Sequence, residues 1–285
     1  MKKLGSKKES RSIWVTIGLL FFLLAIALFT SLPFVYTISN AFKPLDEIFL
    51  FPPKFLVRHP TFDNFSDLVI LFNSSWMPFT RYLFNTLYIT LLGTAGHVVV
   101  ASLGAYVLAK HHFWGQKFVF NMVVLSLMFA SQVTYIPNYI ILSRLHMINT
   151  HWAIIIPALA SSLGVFLMKQ FMEGIPDSLL EAAKIDGARE ITIFWRIAMP
   201  QVKPAWLTLI IFSFQSLWNN NGSLYIFDDE LKTLPYALQQ VLAGGVARTG
   251  TGAAVALILM IVPVTLFMIT QSNIMETMAQ SGIKE

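Results

Sequence analysis

Residues 175–204 read IPDSLLEAAKIDGAREITIFWRIAMPQVKP, a charged interval lying between two strongly apolar blocks. Its pattern predicts two short helices joined at a tight corner. Pro176 suits a first helical turn because its missing N–H has no partner to lose there, and Asp177 or Ser178 can cap the N–H groups left exposed. Leu179, Leu180 and Ala183 then share one apolar side. Gly187 permits the positive φ that ends a helix, and Ala182, Ala183 and Ala188 keep the corner small. A second helix from about Glu190 carries Ile193, Phe194, Ile197 and Ala198 at helical spacing, and Pro200 and Pro204 lead into the next apolar block. On its own, this pattern describes an amphipathic hairpin at the lipid headgroups, aided by Lys184, Arg189 and Arg196.

The flanking blocks decide what kind of solvent the chain meets. A hydrocarbon core of about 30 Å needs about 20 apolar helical residues, since no water is present to satisfy the backbone. Six blocks meet or approach that length, at about 13–38, 83–109, 118–142, 152–168, 202–218 and 252–274. The expected fold is therefore an all-α polytopic membrane protein with six transmembrane helices over residues 13–274, the hairpin at 174–204 joining spans 4 and 5. The first block is too long for a signal-peptide core and lacks a small-x-small cleavage site, so it reads as a retained span. The composition agrees: of 285 residues 55% are hydrophobic and 12% charged, where soluble domains carry about 25% charged.

The net charge of +5 gives an orientation. With both termini on one side, 13 of the 20 Lys and Arg fall on the terminal side and 7 opposite, while the 15 acidic residues divide 8 to 7. Positive residues mark the cytoplasmic side. Both termini, the basic segment 1–12, the hairpin and the tail 275–285 are thus expected in the cytoplasm, with 39–82 and 219–251 outside. A surplus that on a soluble domain would point to nucleic acid here assigns topology.

The spans contain no Asp, Glu, Lys or Arg in their cores. Ion-coupled carriers keep such groups because protonation or ion binding drives their switch, so energy is expected to enter elsewhere. His97 has no carboxylate nearby in sequence and reads as an interhelical hydrogen-bonder, and Gly93, Gly96, Ala101, Gly104, Ala105 and Ala109 allow close helix approach. Asn85, Asn121, Gln132, Gln215, Trp218, Asn219 and Asn220 are open to two readings, bonds between helices or contacts to a polar solute in the path. No Gly-Lys pair, His-Glu-x-x-His or Gly-x-Ser-x-Gly occurs, and there is no cysteine. No catalytic residue or metal site is expected, and if transport is ATP-driven another chain must bind the ATP.

Position by position, Glu181-Ala182-Ala183, Asp186-Gly187-Ala188, Phe194, Ile197, Pro200 and Pro204 resemble the EAA loop of binding-protein-dependent ABC importer permeases. Met199 replaces the usual leucine at similar volume. The resemblance implies that Glu181, Ala182, Ala183, Asp186, Gly187, Ala188, Phe194, Ile197 and Pro200 couple the permease to a cleft on an ATPase subunit, with Glu181 and Asp186 meeting basic groups there. Ser39-Asn40-Ala41-Phe42-Lys43-Pro44, Phe84-Asn85-Thr86, Ala105-Tyr106 and Trp218-Asn219 are similar to the carbohydrate-uptake subgroup, specifically the smaller maltose-type permease subunit. That subgroup usually continues Trp-Asn with an acidic residue and an aromatic, where this chain has Asn220 and Asn221.

By resemblance, then, the chain is a multi-pass permease subunit in the cell membrane of a bacterium or archaeon, importing a sugar or oligosaccharide by alternating access. The implied partners are a second permease, two ABC ATPases carrying ATP and Mg, an external solute-binding protein facing 219–251, the sugar and membrane lipid, with no nucleic acid and no cofactor on this chain. The competing reading is an ATP-independent secondary carrier or channel for a small polar solute; an intramembrane enzyme or scaffold is the third class.

Overall fold

The computed structural model describes residues 13–73 and 77–281. The basic segment 1–12 lies outside them. All regular structure among the described residues is helical: α1 (Ile13–Phe42), α2 (Leu45–Ile48), α3 (Asp63–Asn73), α4 (Phe79–Lys110), α5 (Gln116–Ser126), α6 (Ser131–Arg144), α7 (Trp152–Leu159), α8 (Ser162–Glu173), α9 (Asp177–Ile185), α10 (Glu190–Ile193), a π turn (Phe194–Ala198), α11 (Met199–Gln201), α12 (Lys203–Trp218), α13 (Leu234–Ala243) and α14 (Thr249–Ser281), with 3-10 turns at Asp229–Leu231 and Val246–Arg248.

Among the described residues four stretches are long and apolar enough to cross a membrane: Trp14–Phe42, Phe79–Lys110, Trp152–Glu173 and Val246–Gln271. A fifth candidate is the pair Glu190–Gln201 and Lys203–Trp218, bent by 83°. The helices do not run block for block. Block 118–142 is two helices, because the chain leaves the helix over residues 127–130, where the Ser126 hydroxyl turns to the Val123 carbonyl and to Ser162. Block 152–168 is likewise interrupted between α7 and α8, three residues past Pro157. α14 continues to Ser281, so the expected tail from residue 275 is mostly helix; only 282–285 lie outside the described residues.

α4 is the centre of the fold, with buried residues from Tyr82 to Leu108 and with α7, α8 and α12 packed around it. Its small residues explain how the backbones come so close. Leu217 of α12 lies over Gly93 and Leu159 of α7 over Gly96, while Gly164 of α8 faces His97 and Ala101. Lipid tails are as apolar as leucine, so such contacts, rather than exclusion from water, hold helices together in a membrane. Gly104 has open space beside it and takes no part.

The segment after α1 folds into a polar scaffold. Asn64 Nδ2 donates to the carbonyls of Ala41 (3.0 Å) and Lys43 (2.7 Å), closing the free end of α1 just where Pro44 stops it. Glu47, also buried, accepts the N–H groups of Arg58 at 2.8 Å and His59 at 3.3 Å. Burial pushes its carboxyl up, but those two bonds and the charge of Lys43 prevail and hold it below its ordinary value.

Candidate coupling and solute-path sites

The nine residues of the 181–200 motif divide into two sets. Ala183 and Phe194 are buried, with Leu180, Ile193, Ala198 and Met199, in a core that includes Ala101, Ala105 and Tyr106 of α4. Phe194 meets Tyr106 edge to face, ring centroids 5.3 Å apart. These residues position the hairpin. Glu181, Ala182, Asp186, Gly187 and Pro200 are exposed, and Ala188 and Ile197 half-buried. Asp177 caps no N–H of its own helix; its carboxylate instead bonds Lys110.

The corner is built by backbone geometry. Gly187 has φ +80°, its N–H donates to the Lys184 carbonyl at 3.0 Å, and the next N–H, of Ala188, reaches back to Ala183 at 3.0 Å. This pair of bonds satisfies the open carbonyls at the end of α9 and requires a left-handed residue between them. The corner presents Ile185, 86% exposed, between Glu181 and Asp186. Sequence reasoning passed over Ile185; the available signal was an isolated apolar residue directly before Asp186-Gly187.

Two polar fastenings tie the hairpin to the end of α4. Glu190 Oε1 accepts from Tyr106 Oη at 2.8 Å and lies 3.0 Å from His111 Nε2, while its Oε2 is 3.4 Å from Lys184 Nζ. Burial raises the Glu190 carboxyl, but the Tyr106 and Lys184 bonds and the Lys184 and His111 charges together hold it below its ordinary value. Lys110 Nζ bonds the Ile175 carbonyl and, at 2.7 Å, Asp177 Oδ1. That bond, then the Lys110 charge, depresses the Asp177 carboxyl.

At the far end of α4, 32 residues and about 48 Å away, lies the 219–251 segment. Asn85 is fully buried, and its Nδ2 donates to the Glu230 carbonyl (2.8 Å) and the Lys232 carbonyl (2.9 Å). Thr86 Oγ1 accepts the Leu234 N–H at 2.8 Å. The Phe84-Asn85-Thr86 motif therefore clasps this segment to α4. Asn85→Ala is expected to strip two carbonyls of a donor and cost about 1–3 kcal/mol, read as a lowered melting temperature and faster proteolysis within 219–251.

Trp218 is also fully buried, with its indole N–H on the Leu259 carbonyl. By contrast, Gln215 and Asn219 are exposed, one turn apart and linked by a 2.8 Å bond from Asn219 Nδ2 to the Gln215 carbonyl. They are the polar edge of a cleft of about 490 Å³ that Phe34, Leu238, Leu259 and Phe267 also line. Gln132 stands exposed on α6 and Asn121 on α5. Asn220 Oδ1 accepts the Gly222 N–H at 2.8 Å, closing a turn in which Gly222 has φ +67°. A smaller cavity of about 170 Å³ brings together His97, Ser161, Ser213 and Ser216. No spacing in the sequence announces that polar group, because it is assembled from α4, α12 and the break between α7 and α8.

Long apolar helices packed around a central helix with a buried face define a polytopic membrane protein. The sequence profile of the family described as binding-protein-dependent transport system inner membrane component matches residues 98–277. The chain belongs to that family. It is 34% identical over 227 residues to LplC of Bacillus subtilis, covering 77% of this chain and 73% of LplC. It is also 29% identical over 229 residues to the arabinooligosaccharides transport system permease protein AraQ of the same organism, 80% of this chain and 81% of AraQ. Its fold matches a chain of a bacterial ABC transporter that imports the acidic polysaccharide alginate, with TM-score 0.79 at 21% identity over 94% of this chain and 99% of that one.

Proposed function

We propose that this chain is a transmembrane permease subunit of an ATP-driven ABC importer that moves a sugar or oligosaccharide into the cell by alternating access. The observation that carries the reading is the corner of α9, which keeps Glu181, Ala182, Ile185 and Asp186 exposed on a hairpin whose other face is sunk into the core. An exposed apolar side chain between two carboxylates suits a cleft with an apolar floor and basic walls on an ATPase. The saccharide class is supported by relatives such as AraQ and the polygalacturonan/rhamnogalacturonan transport system permease protein YtcP of Bacillus subtilis.

In this reading α1, α4, α5 with α6, α7 with α8, α12 and α14 make six crossings, with both termini and the hairpin in the cytoplasm. Two ATPase subunits bind ATP and Mg, a second permease completes the path, and a solute-binding protein meets the 219–251 segment from outside. A related alginate importer was solved in complex with a periplasmic protein carrying alginate pentasaccharide. Gln215 and Asn219 are the solute contacts this geometry favours, since they are exposed on the cleft, whereas Asn85 and Trp218 are fully buried with their donors on carbonyls.

Deleting residues 181–187 is expected to abolish co-purification of the ATPase subunits and, with it, ATP-dependent sugar uptake in proteoliposomes. Undiminished ATPase recovery by the deletion variant, or uptake by this chain alone driven by an ion gradient, would overturn the reading.

A further inference from the structure

α4 is clasped at both ends. At one, Glu190 gathers Tyr106, His111 and Lys184; at the other, Arg81 Nε donates to the Glu230 carbonyl at 3.1 Å and Asn85 holds Glu230 and Lys232. Between the clasps the helix is unbroken, has no proline, and is packed against α7, α8 and α12. Sharp bends arise at a proline, a Gly/Ser pair, a π bulge or an inserted group; of these α4 holds only small residues, Gly93 and Gly96 pressed under Leu217 and Leu159, and Ser102 near Gly104. The chain places a π turn immediately after α10, so beyond Ile193 the route toward α12 is neither regular nor straight. The stiff connection from the hairpin runs through α4.

Of the two fastenings at the hairpin, Glu190 is the better placed to transmit force. The Asp177 side chain is 75% exposed, so water competes with the buried Lys110 for its carboxylate, whereas that of Glu190 is 45% exposed and takes three donors at once. One donor is fixed in place: Tyr106 is 4% exposed and wedged between Phe194 and the His111 ring, whose centroid lies 5.5 Å away. Three converging donors require a group that only accepts. A carboxylate is such a group, and an amide is not.

We propose that Glu190 is the positioning residue that makes the hairpin and α4 move as one body, so that ATP-driven displacement of the hairpin reaches the 219–251 segment through α4. The inference deepens the coupling role proposed above and rests on it. Glu190→Gln tests it, because the amide keeps the volume, drops the charge and turns an NH₂ toward at least one donor.

The experiment uses the full transporter with its binding protein in proteoliposomes. The sugar is whichever arabino-, galacto- or galacturono-oligosaccharide most stimulates ATP hydrolysis by the unsubstituted complex. E190Q is expected to retain the ATPase subunits and basal hydrolysis, while sugar moved per ATP falls about fivefold or more. Y106F is expected to fall less, and Y106F/E190Q no further than E190Q alone, since the phenol acts through the carboxylate. An unchanged transport-to-ATP ratio in an intact E190Q complex overturns the proposal. So does loss of the ATPase subunits from E190Q, which would put Glu190 in the docking surface itself. If the unsubstituted complex shows no sugar-stimulated hydrolysis, the permease reading fails and Glu190 is not at issue.

Discussion

Trp218→Ala is expected to lower the stability of the detergent-purified protein by about 3–5 kcal/mol, enough to depress its melting temperature sharply and its yield with it. Two losses combine. The side chain is fully buried where α3, α4, α12, α13 and α14 meet, stacked on Phe214 with ring centroids 5.6 Å apart and packed among Leu68, Tyr82, Leu234 and Val255. Its indole N–H also donates to the Leu259 carbonyl at 2.9 Å. In a regular helix that carbonyl would be taken by the N–H four residues on, but that residue is Pro263, which has none. Trp218 replaces the missing backbone donor from a neighbouring helix.

The two contributions can be separated. Trp218→Phe keeps most of the packing and loses only the donor, so it should cost about 1–3 kcal/mol. Adding Pro263→Ala should recover much of that loss, because alanine returns an N–H to α14. Failure of the second substitution to restore the melting temperature would show that the tryptophan stabilises by volume alone.

The second large effect is expected at Gly164. A Cβ there would fall on His97 Nε2, 2.9 Å from its Cε1 and 3.0 Å from Ala101 Cβ. The imidazole cannot simply swing away, since its Nδ1 is bonded to Ser213 on α12. Gly164→Ala should therefore cost about 1–3 kcal/mol by overpacking, and Gly164→Leu should separate α8 from α4 and abolish transport. Gly104→Ala is the control. Nothing lies within 4 Å of the added carbon, so removing a helical glycine should be neutral or gain up to about 1 kcal/mol. Equal melting temperatures for the alanine variants at 164 and 104 would remove His97 and Gly164 from the packing argument.

These residues also show where sequence reading stops. The apolar blocks and the small-residue spacing on α4 were visible because each is a local pattern with a period. The positive φ of Gly187 was visible because few residues other than glycine take it readily. The asparagines and Trp218 were another matter. From sequence, Asn85 and Trp218 were as eligible for solute as Gln215 and Asn219, because a side-chain donor does not declare its acceptor. The acceptors here are carbonyls 145 residues from Asn85 and 41 from Trp218. The role of Glu190 is illegible for the same reason, its three partners being scattered over residues 106, 111 and 184. The interruption of the third block was hidden differently: residues 127–130, Leu-Met-Phe-Ala, are as apolar as the helices they separate.

α1 has a consequence for how the protein is made. No residue in its most apolar window is buried, and its packing partner is chiefly α14, at the opposite end of the chain. During synthesis this helix must therefore enter the bilayer on its own hydrophobicity before α14 is there to pack against it. Insertion and folding are separate stages for it. Its lipid-facing side chains are thus accountable first to the translocation machinery and only afterwards to the fold, so a single charge placed near its middle should harm membrane insertion well before it harms the packed structure.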